Sequence, residues 1–174
     1  MAKGSEDKMA IIRGKKVKYS SPPRIHGVEV KRLVMHCDES GGLMELLRAD
    51  DPIFKKFGQC YVSITYPGVV KAWHYHKKQW DYMAVIRGMS KIVLYDPRDD
   101  SPTKGIVNEF FLGEQSNALV SIPPLVLHGQ KPYGNEPSYL INFPSEPFNA
   151  AEPDEYRLDP FKNDIPYDWS LKQG

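Results

Sequence analysis

Residues 68–88 of the chain read GVVKAWHYHKKQWDYMAVIRG and hold its most informative polar side chains. His74 and His76 are one residue apart, so they share a face if the backbone is extended, because successive strand residues point to opposite faces. Asp81 follows after enough residues for a turn, and the apolar run over residues 82–86 is typical of a buried strand. The pattern predicts two inward-facing imidazoles with a carboxylate nearby.

A distant segment supplies a third histidine. Residues 121–129 read SIPPLVLHG, which predicts His128 at the entrance of a strand. Two inward histidines, a nearby acid and a remote histidine are what a small β-barrel needs to build a polar pocket in its mouth. We therefore expect the functional centre at His74, His76, Asp81 and His128.

Composition narrows the classes of partner. A length of 174 residues suits one domain with a sizeable core, and the formal net charge of +1 argues against nucleic acid as the main partner. No run of about 18 apolar residues is present, so no membrane span is expected. Cys37 and Cys60 lack paired spacing, and the polar N-terminus is no secretory signal, which together favour a cytoplasmic protein.

The chain as a whole reads as short strands. Segments rich in β-branched and aromatic residues alternate with turn signals about every ten residues, which predicts an antiparallel sandwich or barrel. Residues 1–24 are interpreted as a flexible arm, and residues 25–174 as a single all-β domain. The tail is expected to pack on the barrel through its aromatic residues, which are Tyr156, Phe161, Tyr167 and Trp169.

The motifs resemble those of a known superfamily. Gly68-x5-His74-x-His76-x4-Asp81-x6-Gly88 is similar to the first cupin motif, with Asp where Glu is usual, and Pro123-x-Leu125-x2-His128 is similar to the second. The resemblance extends to the dTDP-4-dehydrorhamnose 3,5-epimerase family, of which the chain looks like a divergent member. That family's Arg-Gly-Leu-His-Tyr-Gln, Ser-Pro-Thr-x-Gly and Ile-Pro-Pro-Gly-x2-His-Gly have counterparts at residues 71–76, 101–105 and 122–129.

The resemblance implies a fold and an activity. The fold is a cupin jelly-roll barrel, commonly a homodimer, and the activity is proton removal next to the C4 ketone of a nucleotide-linked sugar, without a required cofactor. His74 matches the family's base, which suits imidazole chemistry at neutral pH. Substrate-side positions fall, in this sequence, at Glu45, Gln59, Lys71, Tyr75 and His128.

Other family positions are changed in this chain. Counted from Trp169, the aspartate that partners the base falls at Lys162, so Asp159 serves only if the tail contains an insertion. The proton-donating tyrosine falls beside Pro144, where no acid exists, and Tyr139 or Tyr133 is the expected substitute. Lys71 replaces an arginine, and a lysine is only a point charge toward a diphosphate.

Two of the changes favour a metal. His76 replaces a glutamine and Asp81 replaces a lysine, which restores the three-histidine, one-carboxylate set of metal cupins: His74, His76, Asp81 and His128. Such a set suits a divalent transition metal. Three interpretations therefore remain open: a nucleotide-sugar epimerase, a metal-dependent oxygenase or sugar-acid or keto-acid isomerase, and a non-catalytic sugar-binding cupin.

Overall fold

The computed structural model describes residues 21–171, and every regular element among them is a β-strand. In chain order the strands are β1 (Glu29–Arg32), β2 (Met35–Asp38), β3 (Gly41–Met44), β4 (Tyr61–Thr65), β5 (Lys71–Tyr75), β6 (Asp81–Arg87), β7 (Met89–Tyr95), β8 (Val107–Gly113), β9 (Ala118–Ile122), β10 (Leu127–Pro132), β11 (Ser138–Asn142) and β12 (Tyr156–Arg157). The predicted all-β fold is confirmed. Over the same residues, no helix is long and apolar enough to span a membrane.

Two five-stranded sheets form the barrel. Their strand orders are β1-β9-β6-β11-β4, here the first sheet, and β12-β5-β10-β7-β8, here the second sheet, and all pairings are antiparallel. Apolar side chains from both sheets meet in one buried cluster, which includes Met83 and Leu140 of the first sheet and Ile92 and Leu94 of the second. Burying such side chains stabilises the fold by about 1.5–3 kcal/mol each. The architecture is the jelly roll expected of a cupin.

A tight connection moves the chain from one sheet to the other. β6 of the first sheet and β7 of the second are joined at Gly88, which has φ +69°. A Cβ at this position would lie 2.4 Å from the backbone oxygen of Pro137. Only glycine combines this backbone conformation with this close approach, so the motif glycine closes the barrel at this corner.

The outer face of the second sheet is covered by the C-terminal tail. Trp73 of β5 is fully buried against Tyr167 and Trp169, with ring centroids 5.9 and 5.1 Å away. Because strand residues alternate, an outward Trp73 turns the neighbouring His74 inward. Tail packing through Tyr167 and Trp169 agrees with expectation, whereas Phe161 is 73% exposed and does not hold the tail.

The N-terminal arm expected over residues 1–24 falls mostly on residues 1–20, which lie outside the described residues. Residues 21–24 are exposed. The β2–β3 hairpin forms a separate two-stranded sheet whose side chains are almost all exposed. The single domain over residues 25–174 stays a prediction.

Candidate active site

A cavity of about 730 Å³ opens between the two sheets. β5 and β10 form one wall, and their register places His74 directly opposite His128. The rings of these two residues lie 6.2 Å apart, and the ring of His76 lies 5.6 Å from that of His128. The predicted convergence of histidines from two distant segments is therefore present. The opposite wall includes Tyr61 and Ser63 of β4.

Glu155 holds the imidazole of His74. The His74 Nδ1 atom lies 3.0 Å from Glu155 Oε1, and the same oxygen accepts hydrogen bonds from Arg157, with Nε and Nη2 both at 2.7 Å. Since a carboxylate only accepts, Nδ1 carries the hydrogen, and Nε2 keeps its lone pair. β12 positions this acid, because Arg157 pairs with His74 in the ladder.

Burial and charge set the protonation of this pair. Burial lowers the pKa of His74 below its ordinary value, although the hydrogen bond that His74 donates to Glu155 acts in the opposite direction. For Glu155, burial opposes ionisation, but the hydrogen bonds from Arg157 and His74 outweigh it and the pKa is lowered. A neutral imidazole beside an ionised carboxylate is the arrangement of a general base.

His76, Asp81 and His128 form a second cluster, named here the Asp81 cluster. Asp81 Oδ2 lies 3.2 Å from His76 Nε2 and 3.4 Å from His128 Nε2. The Nδ1 atoms of the two rings lie against the backbone oxygens of Asp154 and Val126. Because a carbonyl oxygen only accepts, each Nδ1 carries a hydrogen, so each Nε2 atom keeps a lone pair when its ring is neutral and donates to the carboxylate when its ring is protonated.

The environment of Asp81 favours its ionised form. The other oxygen, Oδ1, accepts hydrogen bonds from the Gln79 and Asn142 side chains at 2.9 and 2.7 Å. Burial would raise the pKa of Asp81, yet His76 and the other donors outweigh it and the pKa is lowered. Burial likewise acts to lower the pKa of His76, but Asp81 reverses this and the pKa is raised, whereas burial lowers the pKa of His128 to about 4.

The turn between β5 and β6 is fixed by Asp154. Its carboxylate accepts the backbone N–H groups of three successive residues, Lys77, Lys78 and Gln79, at 2.9, 2.8 and 3.1 Å. Burial opposes the ionised form of Asp154, but these hydrogen bonds prevail and lower its pKa. Asp154 thus anchors the loop that carries both His76 and Gln79 against the Asp81 cluster.

The structure brings together most of the residues predicted for the site. Gln59, Lys71, His74, His76 and His128 line the cavity, and Asp81 lies buried behind the two histidines that it contacts. The group whose ligand atoms lie within 4.8 Å of one another contains His76, Asp81 and His128. His74, predicted as a fourth ligand, is outside that group and is bound to Glu155 instead.

Four other predicted residues are not on the cavity wall. The Asp159 carboxylate accepts the backbone N–H groups of residues 161 and 162 in an exposed turn. The carboxylate that contacts His74, a role predicted for Asp159, belongs to Glu155. Tyr139 lies on the outer side of β11 with Arg87 over its ring, because Leu140 faces the core. Tyr75 stacks on Tyr156 beside the strand pair, and the exposed Glu45 is paired with Arg48.

Sequence reasoning missed Glu155, Tyr61 and Asn142. Tyr61 lies two residues after Gln59, so the two would share a face in an extended segment, and this parity was a signal for Tyr61. Asn142 faces Tyr61 in the β4–β11 ladder, and its amide links Tyr61 to Asp81. Glu155 gave no signal, because β12 has only two residues and shows no periodicity.

The fold and the site together define a cupin with a histidine-rich cavity. A family model described as "Polysaccharide biosynthesis C-terminal domain" matches residues 36–156, and the chain belongs to that family. SpsL of Bacillus subtilis, a spore coat polysaccharide biosynthesis protein, is 40% identical over 85% of this chain and 98% of its own. Agl13 of Haloferax volcanii, a probable low-salt glycan biosynthesis epimerase, is 42% identical over 84% of this chain and 90% of its own.

Solved structures agree with these relatives. A dTDP sugar isomerase from Desulfovibrio desulfuricans G20 has a TM-score of 0.78 and 32% identity, covering 83% of this chain and 92% of that one. The dTDP-4-dehydrorhamnose 3,5-epimerase of Elizabethkingia anophelis has a TM-score of 0.72 at 18% identity, covering 87% of this chain and 86% of that one, which shows the fold alone. The resemblance to 3,5-epimerase-like cupins is confirmed, and the chain is a divergent, epimerase-like member of that group.

Proposed function

We propose that the protein epimerises a nucleotide-linked 4-keto-6-deoxyhexose of the dTDP type, with His74 as the base. The observation that carries this proposal is the 3.0 Å contact between His74 Nδ1 and Glu155 inside the cavity. The hydrogen on Nδ1 leaves Nε2 free to take a proton from the carbon next to the ketone, and Glu155 stabilises the imidazolium that results. The relatives with epimerase and isomerase activity in their names support the reaction class.

Two cations at the cavity suit an anionic substrate. Lys71 Nζ is held by Ser63 Oγ and the backbone oxygen of Ile64 at 2.9 and 2.7 Å, and Arg157 extends from β12 with its side chain 70% exposed. A guanidinium and an ammonium group at one opening provide the donors that a diphosphate requires. Gln59 and His128 contribute polar surface deeper in the same cavity.

The proposal includes a homodimer in the cytoplasm. Support for pairing comes from the edge strand β4, where Val62 and Ile64 are 53% and 44% exposed, and from Tyr66 directly after it, which is 67% exposed. A contiguous apolar face on an edge strand favours association with a second copy. Light scattering at micromolar concentration is expected to give twice the chain mass, and Ile64→Lys is expected to reduce it.

Deuterium exchange tests the activity. In D2O, dTDP-4-keto-6-deoxyglucose is expected to gain deuterium at C3 or C5, and His74→Ala is expected to abolish the exchange. His36→Ala serves as the matched control, because His36 lies on the exposed β2–β3 hairpin. Binding of the sugar nucleotide with no exchange at either carbon would instead favour a non-catalytic sugar-binding cupin and contradict the proposal.

The Asp81 cluster supports a second candidate, a metal-dependent cupin that acts on another small molecule. The two Nε2 atoms and a carboxylate oxygen converge, while each Nδ1 atom donates to a backbone carbonyl, and with both rings neutral this arrangement orients histidines toward a metal. His76, Asp81 and His128 would hold a divalent transition metal, and such an ion supplies Lewis-acid polarisation of a substrate oxygen. This chain's own residues would orient the substrate beside it and, at His74, accept a proton.

Metal analysis separates the two candidates. Protein purified without chelator is expected to hold about one zinc, iron, manganese or nickel ion per chain if the second candidate is right. His76→Ala and Asp81→Asn should then lower the metal content, whereas His36→Ala should leave it unchanged. Substoichiometric metal that does not respond to His76→Ala contradicts a metal site at this cluster.

A further inference from the structure

Asn142 determines how the hydroxyl of Tyr61 bonds. Asn142 Oδ1 accepts the backbone N–H of Tyr82 at 3.1 Å, and Nδ2 donates to Asp81 Oδ1 at 2.7 Å and to the Tyr61 oxygen at 3.0 Å. The backbone donor assigns the amide orientation, so the Tyr61 oxygen is the acceptor in its bond with Asn142. Among residues 21–171 no acceptor is recorded for the Tyr61 hydrogen, which is therefore available on the cavity side.

Tyr61 and His74 lie in opposite sheets. Tyr61 belongs to β4 at the edge of the first sheet and His74 belongs to β5 of the second, and both residues line the same cavity. A planar intermediate bound between the sheets would present one face to each residue. Inversion at carbon needs a base on one face and an acid on the other, and residues from two different sheets of one cavity suit that requirement.

Three other proton-bearing groups on the wall have hydrogen-bond partners within the protein. Lys71 donates to Ser63 and to the backbone of Ile64, and His76 and His128 donate through Nδ1 to backbone oxygens while their Nε2 atoms face Asp81. Among the described residues, Tyr61 is the only tyrosine that lines the cavity. Burial raises the pKa of Tyr61, with Asp81 and Glu155 acting in the same direction, so its proton is retained at neutral pH.

We propose that Tyr61 is the catalytic acid that returns the proton and inverts the carbon next to the ketone. This inference rests on the proposed epimerase function. The C–H bond breaks as its proton moves to His74 Nε2, and its electron pair passes through the carbonyl to give an enolate. A new C–H bond then forms on the opposite face with the phenolic proton of Tyr61, which leaves a phenolate. Solvent takes the proton from His74 and returns one to Tyr61, which restores the enzyme.

Tyr61→Phe separates exchange from inversion. In D2O, the unmodified enzyme is expected to give inverted dTDP-4-keto-6-deoxyhexose that carries deuterium at the inverted carbon. In Tyr61→Phe, His74 still removes the proton and returns deuterium to the same face, so proton NMR should show deuterium with retained configuration. Inversion is expected to fall by about 10²–10⁴-fold. Tyr139→Phe, on the outer side of β11, is the matched control and should invert normally.

The outcomes distinguish this inference from the function on which it rests. Inversion by Tyr61→Phe within twofold of the unmodified rate overturns the role of Tyr61 and leaves the epimerase proposal standing. Equal loss of exchange and inversion also overturns it, because a purely structural defect affects both. Absence of exchange and inversion in the unmodified protein overturns both proposals.

A second substitution keeps the ring, the hydroxyl and the Asn142 contact. Incorporating 3,5-difluorotyrosine at position 61 lowers the pKa of the phenol, so the acid is lost at a lower pH. The alkaline limb of the inversion rate should move to lower pH, while the exchange rate keeps its profile. Identical pH profiles for the fluorinated and unmodified enzymes would overturn the inference. Tyr61 is 42% exposed at a sheet edge, so either variant is expected to fold.

Discussion

Glu155→Gln tests whether the carboxylate beside His74 supports the base. The substitution keeps the size of the side chain and an oxygen that can accept the Nδ1 hydrogen at 3.0 Å, but it removes the negative charge. Proton transfer to His74 then produces an imidazolium beside a neutral amide. The interaction between His74 and residue 155 is therefore weakened in the transition state and not in the ground state, which predicts a fall in kcat with little change in KM.

The expected magnitude follows from two contributions. A hydrogen bond to a charged group contributes about 1.5–3 kcal/mol and a neutral one about 0.5–1.5 kcal/mol, a difference of about 1–1.5 kcal/mol. The remaining Coulomb attraction is reduced because the Glu155 side chain is 30% exposed and its Oε1 atom is shared with Arg157. With about 0.4–1.2 kcal/mol for that attraction, the total is about 1.4–2.7 kcal/mol, which corresponds to about a 10- to 100-fold lower kcat.

The assay is steady-state epimerisation of dTDP-4-keto-6-deoxyglucose, with deuterium incorporation as a second readout. Asp159→Asn is the matched control, since the spacing from Trp169 points to Asp159 while the structure places Glu155 against His74. The control should keep its kcat, because an asparagine oxygen can still accept the two backbone N–H groups. A normal kcat in Glu155→Gln, or a larger loss in Asp159→Asn, would refute the assignment of Glu155.

Three further predictions concern stability and binding. The fully buried Asp96 carboxylate accepts hydrogen bonds from Arg98, Ser101 and Thr103, which outweigh burial and hold its pKa well below the ordinary value. The contribution of the ionised Asp96 to stability is therefore present above pH about 4 and lost as the pH falls. Asp96→Asn should lower the free energy of unfolding by about 3 kcal/mol at pH 7 and weaken the acid dependence of stability, as measured by urea titration at pH 3 and pH 7. Gly129→Ala would place a Cβ 2.3 Å from that of Ala72, separating β10 from β5, and should cost about 1–3 kcal/mol by thermal unfolding; an unchanged melting temperature would contradict this packing. Lys71→Gln should raise the Kd for dTDP about tenfold and reduce its salt dependence in calorimetry at two ionic strengths, whereas equal salt slopes would place the diphosphate elsewhere.

The barrel was predictable because its signals are local. Glycine and proline punctuation separates the strands, and the spacing of His74 and His76 fixes which face of β5 meets the cavity. The pairing of His74 with His128 could be expected from the cupin resemblance, and the ladder confirms it. The resemblance also indicated the epimerase class, which the comparisons confirm.

The partner of His74 was not predictable in the same way. Counting back from Trp169 assumes that the tail keeps a fixed length, whereas the carboxylate is positioned by the register of β12 on β5. Tyr139 was wrongly placed because residues 138–142 are at least half-buried on both faces, so apolar periodicity does not reveal which face meets the cavity. Tyr61 was missed even though its parity matched that of Gln59.

The position of Glu155 and Asp154 in the chain has a consequence for assembly. Both acids come after the last long strand, so His74 and the loop that carries His76 are synthesised before Glu155 and Asp154. A barrel that has folded only through β11 would have the cavity without its base pair, and the loop that carries His76 would lack its anchor. Catalytic competence should therefore appear as a separate, final event in refolding, later than the recovery of β-sheet circular dichroism.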